Sequence, residues 1–297
     1  MRFSVCLDPG RPWVEVLELA RHVDTVGWDG VYLCDHFMPS DPEGLPVDGA
    51  MLEGWTALAA LAGHTRRLRL GTLVLGNTYR HAAIVANMAA TMDHVSGGRF
   101  VLGLGAGWQA NEHAAYGIEL GSTGSRLDRF EEACAAIDSL LRQARTTLTG
   151  DYYRLTDAPC DPKPVQRRLP ILIGGGGERR TLRIAAQFAD EWHAWGTPDG
   201  FAHKNAVLDH HCHDIGRDPS TIRRATGATV IVSTTPATTH RYAATVAGSP
   251  SQVLEMLGRY KAAGADEFIV RDDRTTPLPA ARETLSLFWA EIANSLR

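Results

Sequence analysis

Arg67-Leu68-Arg69-Leu70-Gly71-Thr72-Leu73-Val74-Leu75-Gly76-Asn77-Thr78-Tyr79-Arg80-His81 decides how this chain is read, together with Asp93-His94-Val95-Ser96-Gly97-Gly98-Arg99-Phe100-Val101-Leu102-Gly103-Leu104-Gly105-Ala106-Gly107-Trp108 shortly after it. Both stretches contain an apolar run that ends in glycine or a polar loop. A parallel strand covered on both faces has this composition, whereas a strand with one wet face alternates. Between them Ala82–His94 carries Ile84, Met88 and Met92 at helical spacing, so the unit reads as a βαβ crossover. Polar residues and glycines gather just past the strands. In parallel α/β folds that edge is where ligands bind.

Working outward, eight strand-like runs are found: Phe3–Leu7, Gly30–Cys34, Leu68–Leu75, Phe100–Gly105, Pro170–Gly174, Glu191–Trp195, Gly227–Ser233 and Glu267–Arg271. Helical patterns separate most of them, at Trp13–Val26, Arg126–Leu141, Arg179–Phe188, Phe201–Ile215 and Ser251–Ala263, and Ala280–Leu296 follows the last. Strands and helices alternating eight times predict an α/β fold of the (β/α)8 TIM-barrel type, in preference to a doubly wound sheet. No Pro- or Ser-rich linker divides the chain, so residues 1–297 are expected to form a single domain. Long insertions at Asp35–Gly54, Trp108–Ser125 and Thr146–Arg168 are expected at the C-terminal face, the last with a hairpin over Thr147–Leu155. The stretch Ser233–Ala247 reads as a fourth lid. Such loops build or cover pockets.

The 297 residues carry a net charge of −4, which argues against a nucleic-acid or polybasic membrane surface. No apolar stretch approaches the roughly 18 residues of a membrane span. Met1–Gly10 opens on a strand and lacks the apolar core of a signal peptide. Five cysteines without a CxxC pair suit reduced thiols, so a cytoplasmic enzyme is expected.

Three constellations carry chemistry. Cys34-Asp35-His36-Phe37 places an imidazole beside an acid at a strand end, a pairing suited to proton transfer near neutrality, or simply a loop histidine bonded to backbone. Ile173-Gly174-Gly175-Gly176-Gly177-Glu178-Arg179-Arg180-Thr181 runs from strand through four glycines into a helix. Bare backbone and free amides there suit a phosphate, although a tight turn needs one or two of those glycines. The spacing differs from a nucleotide P-loop. Leu102-Gly103-Leu104-Gly105-Ala106-Gly107-Trp108-Gln109-Ala110-Asn111-Glu112-His113 mimics a dinucleotide fingerprint without its third glycine, and no helix pattern follows at once. Its small residues suit a flat ring lying on the strand end.

Together these residues resemble the bacterial luciferase-like family of flavin and deazaflavin oxidoreductases, from about Phe3 to Val270. The resemblance is densest at Asp35-His36-Phe37, Leu70–Val74, Tyr79-Arg80-His81, Asp93–Phe100, Gly103–Trp108 and Gly174–Gly177. Within the family the chain is most similar to members that use coenzyme F420, a 5-deazaflavin. The resemblance implies a (β/α)8 barrel holding the redox ring over the third strand, with a cis peptide joining Leu73 to Val74 behind it. Cofactor contacts are then implied at Leu73, Val74, Asn77, Gly105, Gly107 and Asn111, and the cofactor phosphate at Gly174, Gly175, Gly176, Gly177 and Glu178. Asp35 and His36 would face the reactive edge as catalytic residues, His36 handling the proton and Asp35 orienting it.

The implied activity is hydride transfer between reduced F420 and a small organic substrate, with reduction of C=C, C=N or C=O favoured. One alternative is an FMN-dependent monooxygenase fed by a separate flavin reductase. Another is a non-catalytic flavin-binding barrel. Where some relatives carry a proton-handling glutamate after the fourth strand, this chain has Trp108, which argues against sugar-phosphate oxidation and for an aromatic substrate wall. Trp55, Trp108 and Arg271 are substrate candidates, with Tyr152 and Tyr153 also aromatic enough to line a cleft. Arg271 suits either an anion or a surface salt bridge. A homodimer is expected from the family, and an F420 or flavin reductase is a possible partner. His210-His211-Cys212-His213 reads as a solvated helix face and not a metal site, Glu131-Glu132 as exposed charge, and His193 and Trp195 as either packing or pointing at the glycine run.

Overall fold

The computed structural model describes residues 1–40, 46–232 and 245–297. The first half comprises β1 (Arg2–Leu7), α1 (Trp13–Val26), β2 (Gly30–Leu33), α2 (Gly54–His64), β3 (Arg69–Thr72), β4 (Leu75–Gly76), α3 (Ala82–Ser96), β5 (Phe100–Gly105), α4 (Ala110–Tyr116) and α5 (Thr123–Arg142). A hairpin, β6 (Thr146–Thr149) with β7 (Arg154–Ala158), leads into β8 (Ile171–Gly174), α6 (Thr181–Phe188), β9 (Glu191–His193) and α7 (Pro198–Asp214). The chain then runs through β10 (Arg223–Val232), β11 (Thr245–Gly248), α8 (Pro250–Ala262), β12 (Glu267–Arg271) and α9 (Leu278–Phe288). Strands β1-β2-β3-β5-β8-β9-β10-β12 pair in that order, all parallel, and β12 returns to β1. The ring is a closed eight-stranded barrel with helices outside, the fold expected. Among the described residues, no helix is long and apolar enough to cross a membrane.

Two apolar layers hold it together. The larger lies between strands and helices, and the smaller fills the lumen with Cys6, Tyr32, Leu73, Val101, Leu172, Ala225 and Ile269. These lumen residues share one face of their strands, as the period of two requires. At the N-terminal end of the lumen a charged cluster replaces them. Glu267 accepts from Ser4 Oγ at 2.6 Å, Tyr32 Oη at 3.2 Å and Arg69 Nη1 at 3.1 Å, and Arg69 Nη2 donates to Glu191 at 2.6 Å. Burial works against the Arg69 charge, but Tyr32, Glu267 and Glu191 outweigh it and raise the pKa.

Several expectations shift in detail. The run Leu68–Leu75 divides into β3 and β4 around Leu73-Val74. On α3 the buried face is Ala82, Val85, Ala86, Ala89, Ala90 and Met92, whereas Ile84 is exposed and Met88 half-buried. Alanines let α3 approach the strands closely, so the small face turns inward and the bulkier Ile84 outward. Trp108–Ser125 is not a plain loop, because α4 occupies its middle. Ala280–Leu296 is helical as expected but not uniformly so: α9 stops at Phe288, a π-turn occupies Trp289–Ala293, and Asn294–Leu296 returns to α-helix. Of the proposed lid at 233–247, residues 233–244 lie outside the described residues, as do 41–45 of the loop after β2.

Candidate active site

The site begins where β2 ends. The carboxylate of Asp35 accepts from the Gly76 amide at 2.9 Å and from Arg80 Nη1 and Nη2 at 2.7 and 3.0 Å, and Arg80 also reaches Glu53 at 2.6 Å. Burial opposes the Arg80 charge, yet Asp35 and Glu53 outweigh it and raise its pKa, so the guanidinium stays charged. Burial raises the Asp35 pKa in spite of the bonds from Arg80 and Gly76. Asp35 therefore braces β4 and the turn beyond it and makes no bond to His36, contrary to the role expected of it.

The partner of His36 is Glu112, on α4. Its Oε1 lies 2.8 Å from His36 Nδ1, while Oε2 accepts from the amides of Phe37 at 2.8 Å and Met38 at 3.2 Å. The Tyr79 hydroxyl also donates to Oε1. Glu112 is 0% exposed. Burial pushes its pKa up, but the bonds from His36, Tyr79 and Phe37 outweigh burial and leave it below the usual carboxylate range. An ionised carboxylate has no proton to give, so His36 Nδ1 is the donor and the neutral ring keeps its basic lone pair on Nε2. Trp108, 52% exposed, meets the same imidazole edge-on with centroids 5.5 Å apart. Sequence reasoning missed Glu112 because it saw no helix after Gly107. The available signal was Gly117, which caps α4 in the left-handed region at φ 66°.

Behind this pair, His113 Nδ1 donates to Gln109 O at 2.7 Å and its Nε2 accepts from Thr78 Oγ1 at 2.7 Å. Gln109 Nε2 in turn donates to Met38 O at 2.8 Å. These bonds tie the loops after β2, β4 and β5 into one unit, so His36 rests on a rigid support.

Leu73 and Val74 are joined by a cis peptide, as the resemblance implied. The Val74 side chain is packed against three glycines: a methyl group added at Gly105 or Gly174 would fall 2.6 or 2.7 Å from it, and one at Gly103 3.2 Å. Gly105 and Gly174, expected to serve a cofactor, are thus required by the protein's own packing. Gly107 combines φ 85° with a close approach to Thr78. On α4, the side-chain amide of Asn111 is buried with neither polar atom bonded. Asn77 leaves Nδ2 buried and unbonded, although its Oδ1 lies 3.4 Å from the Tyr153 hydroxyl.

The glycine run follows β8. Gly175, at φ 127°, spends its amide on His193 O at 2.9 Å. Among the described residues the amides of Gly176 and Gly177 donate to nothing, and α6 begins at Thr181. Glu178 is held by Lys204 at 2.6 Å and His203 at 3.2 Å, and its carbonyl accepts from His211 Nε2 at 2.7 Å. Hence His211, on the supposed solvated face of α7, pins the loop. No cluster that could hold a metal ion occurs among the described residues.

The remaining candidates divide. Trp55, half-buried at the start of α2, packs edge-on against Phe100 at 5.5 Å and so spends part of its indole on the core. Arg271, at the end of β12, lies over the Trp195 ring at 5.8 Å. Tyr153 is buried, whereas Tyr152 is exposed. Glu132 is no free surface charge, because it caps the hairpin turn through the amides of Asp151, Tyr152 and Tyr153. Glu131 pairs with Arg183 at 2.8 Å.

The chain matches the luciferase-like monooxygenase family over residues 1–265 and belongs to that family. It is 36% identical over 164 residues to an F420-dependent glucose-6-phosphate dehydrogenase of Amycolatopsis mediterranei, covering 55% of this chain and 48% of that protein. A protein of the same name from Microbacterium testaceum is 35% identical over 177 residues, covering 59% and 51%. The chain thus spans about half the length of the curated relatives it matches. Among solved structures, an F420-dependent secondary alcohol dehydrogenase superimposes with a TM-score of 0.80 at 20% identity, covering 95% and 97% of the two chains. The F420-dependent tetrahydromethanopterin reductase of Methanopyrus kandleri gives 0.83 at 17% identity, covering 100% and 99%. These likenesses establish the fold.

Proposed function

We propose that this protein is an F420-dependent oxidoreductase that passes hydride between the reduced deazaflavin and a small organic substrate. The observation that carries the reading is the His36–Glu112 pair at the rim of a barrel mouth whose nearby amides, Asn77 and Asn111, have buried polar atoms without partners. Buried polar groups are normally bonded, and groups left open at a cleft suit a bound ligand. The residues fit the coenzyme: Val74 and the strand ends would back the flat ring, Asn77 and Asn111 would bond its polar edge, and the Gly176 and Gly177 amides would take the phosphate. When bound, the deazaflavin supplies a carbon that carries hydride.

Within the protein, His36 Nε2 gives or takes the proton. Glu112 fixes the ring's tautomer and offsets the positive charge that appears on protonation. Trp108 and the loops after β2 and β5 exclude water from one side. The same reading takes residues 1–297 as one domain and the working form as a cytoplasmic homodimer, with a separate reductase returning the coenzyme to its reduced state.

Fluorescence titration with F420 and with FMN tests the cofactor directly. F420 should bind more tightly, and His36→Ala should bind it unchanged while turnover falls. Preference for FMN with oxygen-dependent turnover would overturn the assignment in favour of a monooxygenase. Tight binding with no electron acceptor reduced would favour a storage barrel.

A further inference from the structure

The side chains of His193 and Thr229 have no role in the site described so far. Both project into the barrel: His193 shares its strand face with Glu191, which meets Arg69 in the lumen, and Thr229 lies four residues beyond lumen-facing Ala225. His193 is 3% exposed and its Nε2 is buried without a partner; Thr229 is 9% exposed and its Oγ1 is likewise unbonded. Trp195, the next inward position on the same segment, meets the His193 ring edge-on at 4.5 Å and is itself partly exposed. It fits because residue 227 is glycine, where a methyl group would fall 2.7 Å from the indole. Burial pulls the His193 pKa down to about 3, so the ring stays neutral wherever the enzyme works.

The strand order adds direction. Around the eight-membered ring, β9 stands four places from β2, so His193 and His36 rise from opposite walls. The glycine run lies on β8 and the Val74 knob on β3, which leaves the β9–β10–β12 side of the mouth for substrate. We propose that His193 and Thr229 bind the uncharged oxygen of a conjugated carbonyl substrate whose carbon–carbon double bond is reduced. This rests on the hydride-transfer reading above. In a simple ketone the oxygen that is bound is also the atom that takes the proton, and one wall would serve both purposes. With the two imidazoles on opposite walls, the bound oxygen and the protonated atom are different atoms.

The step balances as follows. Hydride from the reduced deazaflavin adds to the β carbon, and the C=C electron pair shifts to make an enolate whose oxygen is held by His193 and Thr229. The α carbon then takes a proton from Nε2 of the imidazolium form of His36, whose charge Glu112 offsets. The proton released when the reduced coenzyme is oxidised makes up the balance through solvent, leaving a saturated carbonyl compound, the oxidised coenzyme and a recharged His36. Neutral donors suit the growing charge on that oxygen.

The test uses reduced F420 with cyclohex-2-en-1-one, following coenzyme absorbance, and with cyclohexanone as the simple-ketone control. The wild-type protein should consume the enone at least tenfold faster than the ketone. His193→Leu should leave the F420 dissociation constant unchanged, raise KM for the enone about tenfold or more, and leave the Tm equal or higher, because an unsatisfied polar atom has been removed. His193→Gln should restore part of the KM. A protein that binds F420 but prefers the ketone, or a His193→Leu variant with lower Tm and unchanged KM, overturns the proposal while leaving the coenzyme assignment intact. Failure to bind F420 at all overturns the reading beneath it.

Discussion

The two ends of the barrel lumen solve the same problem in opposite ways. At the N-terminal end Arg69, Glu191, Glu267, Ser4 and Tyr32 form a cluster in which each side chain has at least one bonded partner. At the C-terminal mouth, both polar atoms of the Asn111 side chain, Nε2 of His193 and Oγ1 of Thr229 are buried and unbonded. Both ends bury polar chemistry, but the closed end leaves open only single atoms of side chains that are otherwise paired, Glu191 Oε2 and the nearby Arg2 Nε, whereas at the mouth neither polar atom of Asn111 and no atom of the Thr229 hydroxyl is bonded. The closed end stabilises the ring, and the open end is completed by what binds there.

Breaking the closed end should produce the largest loss. Glu267→Ala leaves Arg69 short of a buried counter-charge and should cost about 3–5 kcal/mol in urea unfolding. Turnover per folded molecule should hardly change. An equal loss of activity per folded molecule would show that the two ends are not separable.

At the open end the signs reverse. Glu112→Gln keeps the shape but removes the charge facing His36, and kcat should fall about 10²-fold with coenzyme affinity preserved. The stability effect carries a pH signature. The Glu112 pKa is lowered in the folded protein, so its stabilisation is complete above the ordinary glutamate pKa of about 4.3 and is lost as pH falls through the lower folded value. The wild-type advantage over Glu112→Gln in Tm should therefore shrink only on acidification below about pH 4.3. An advantage that shrinks between pH 6 and 8 instead would assign the effect to a histidine.

Smaller still, Gly105→Ala pushes a methyl into Val74 and should cost about 1–3 kcal/mol in unfolding. Smallest of all, Asn111→Leu should leave the Tm of the free protein unchanged or up to about 1 °C higher while weakening F420 binding several-fold. A marked drop in Tm would mean that Asn111 is satisfied after all, and the contrast between the ends would blur.

The sequence was most legible where the covering is apolar on both sides. Unbroken runs such as Phe100–Gly105 announce parallel strands, and their alternation with helices announces the ring. Asp93–Arg99, the most recognisable phrase, is a structural joint: Arg99 Nη1 donates to Leu68 O at 2.8 Å and Nη2 to Ala62 O at 2.9 Å, and Asp93 takes the amide of Gln166 at 2.8 Å. Its prominence says nothing of chemistry. His36 was found because an imidazole beside an acid at a strand end suits proton transfer near neutrality, but its partner lay 76 residues away on a seven-residue helix with too short an apolar pattern to register. Neighbouring Asp35 looked like that partner only because adjacency in sequence was mistaken for adjacency in space. On a strand end, consecutive side chains point apart, so Asp35 met Arg80 while His36 met Glu112.

The seat of Val74 makes positions 105 and 174 a single coupled locus, although they lie on two strands and some seventy residues apart in sequence. Substitution histories at these sites should be contingent: alanine at 105 becomes tolerable only after the valine has shrunk. In a double-mutant cycle, Val74→Ala combined with Gly105→Ala should recover more than 0.5 kcal/mol relative to the sum of the single changes. Additivity would show that the mouth yields elsewhere.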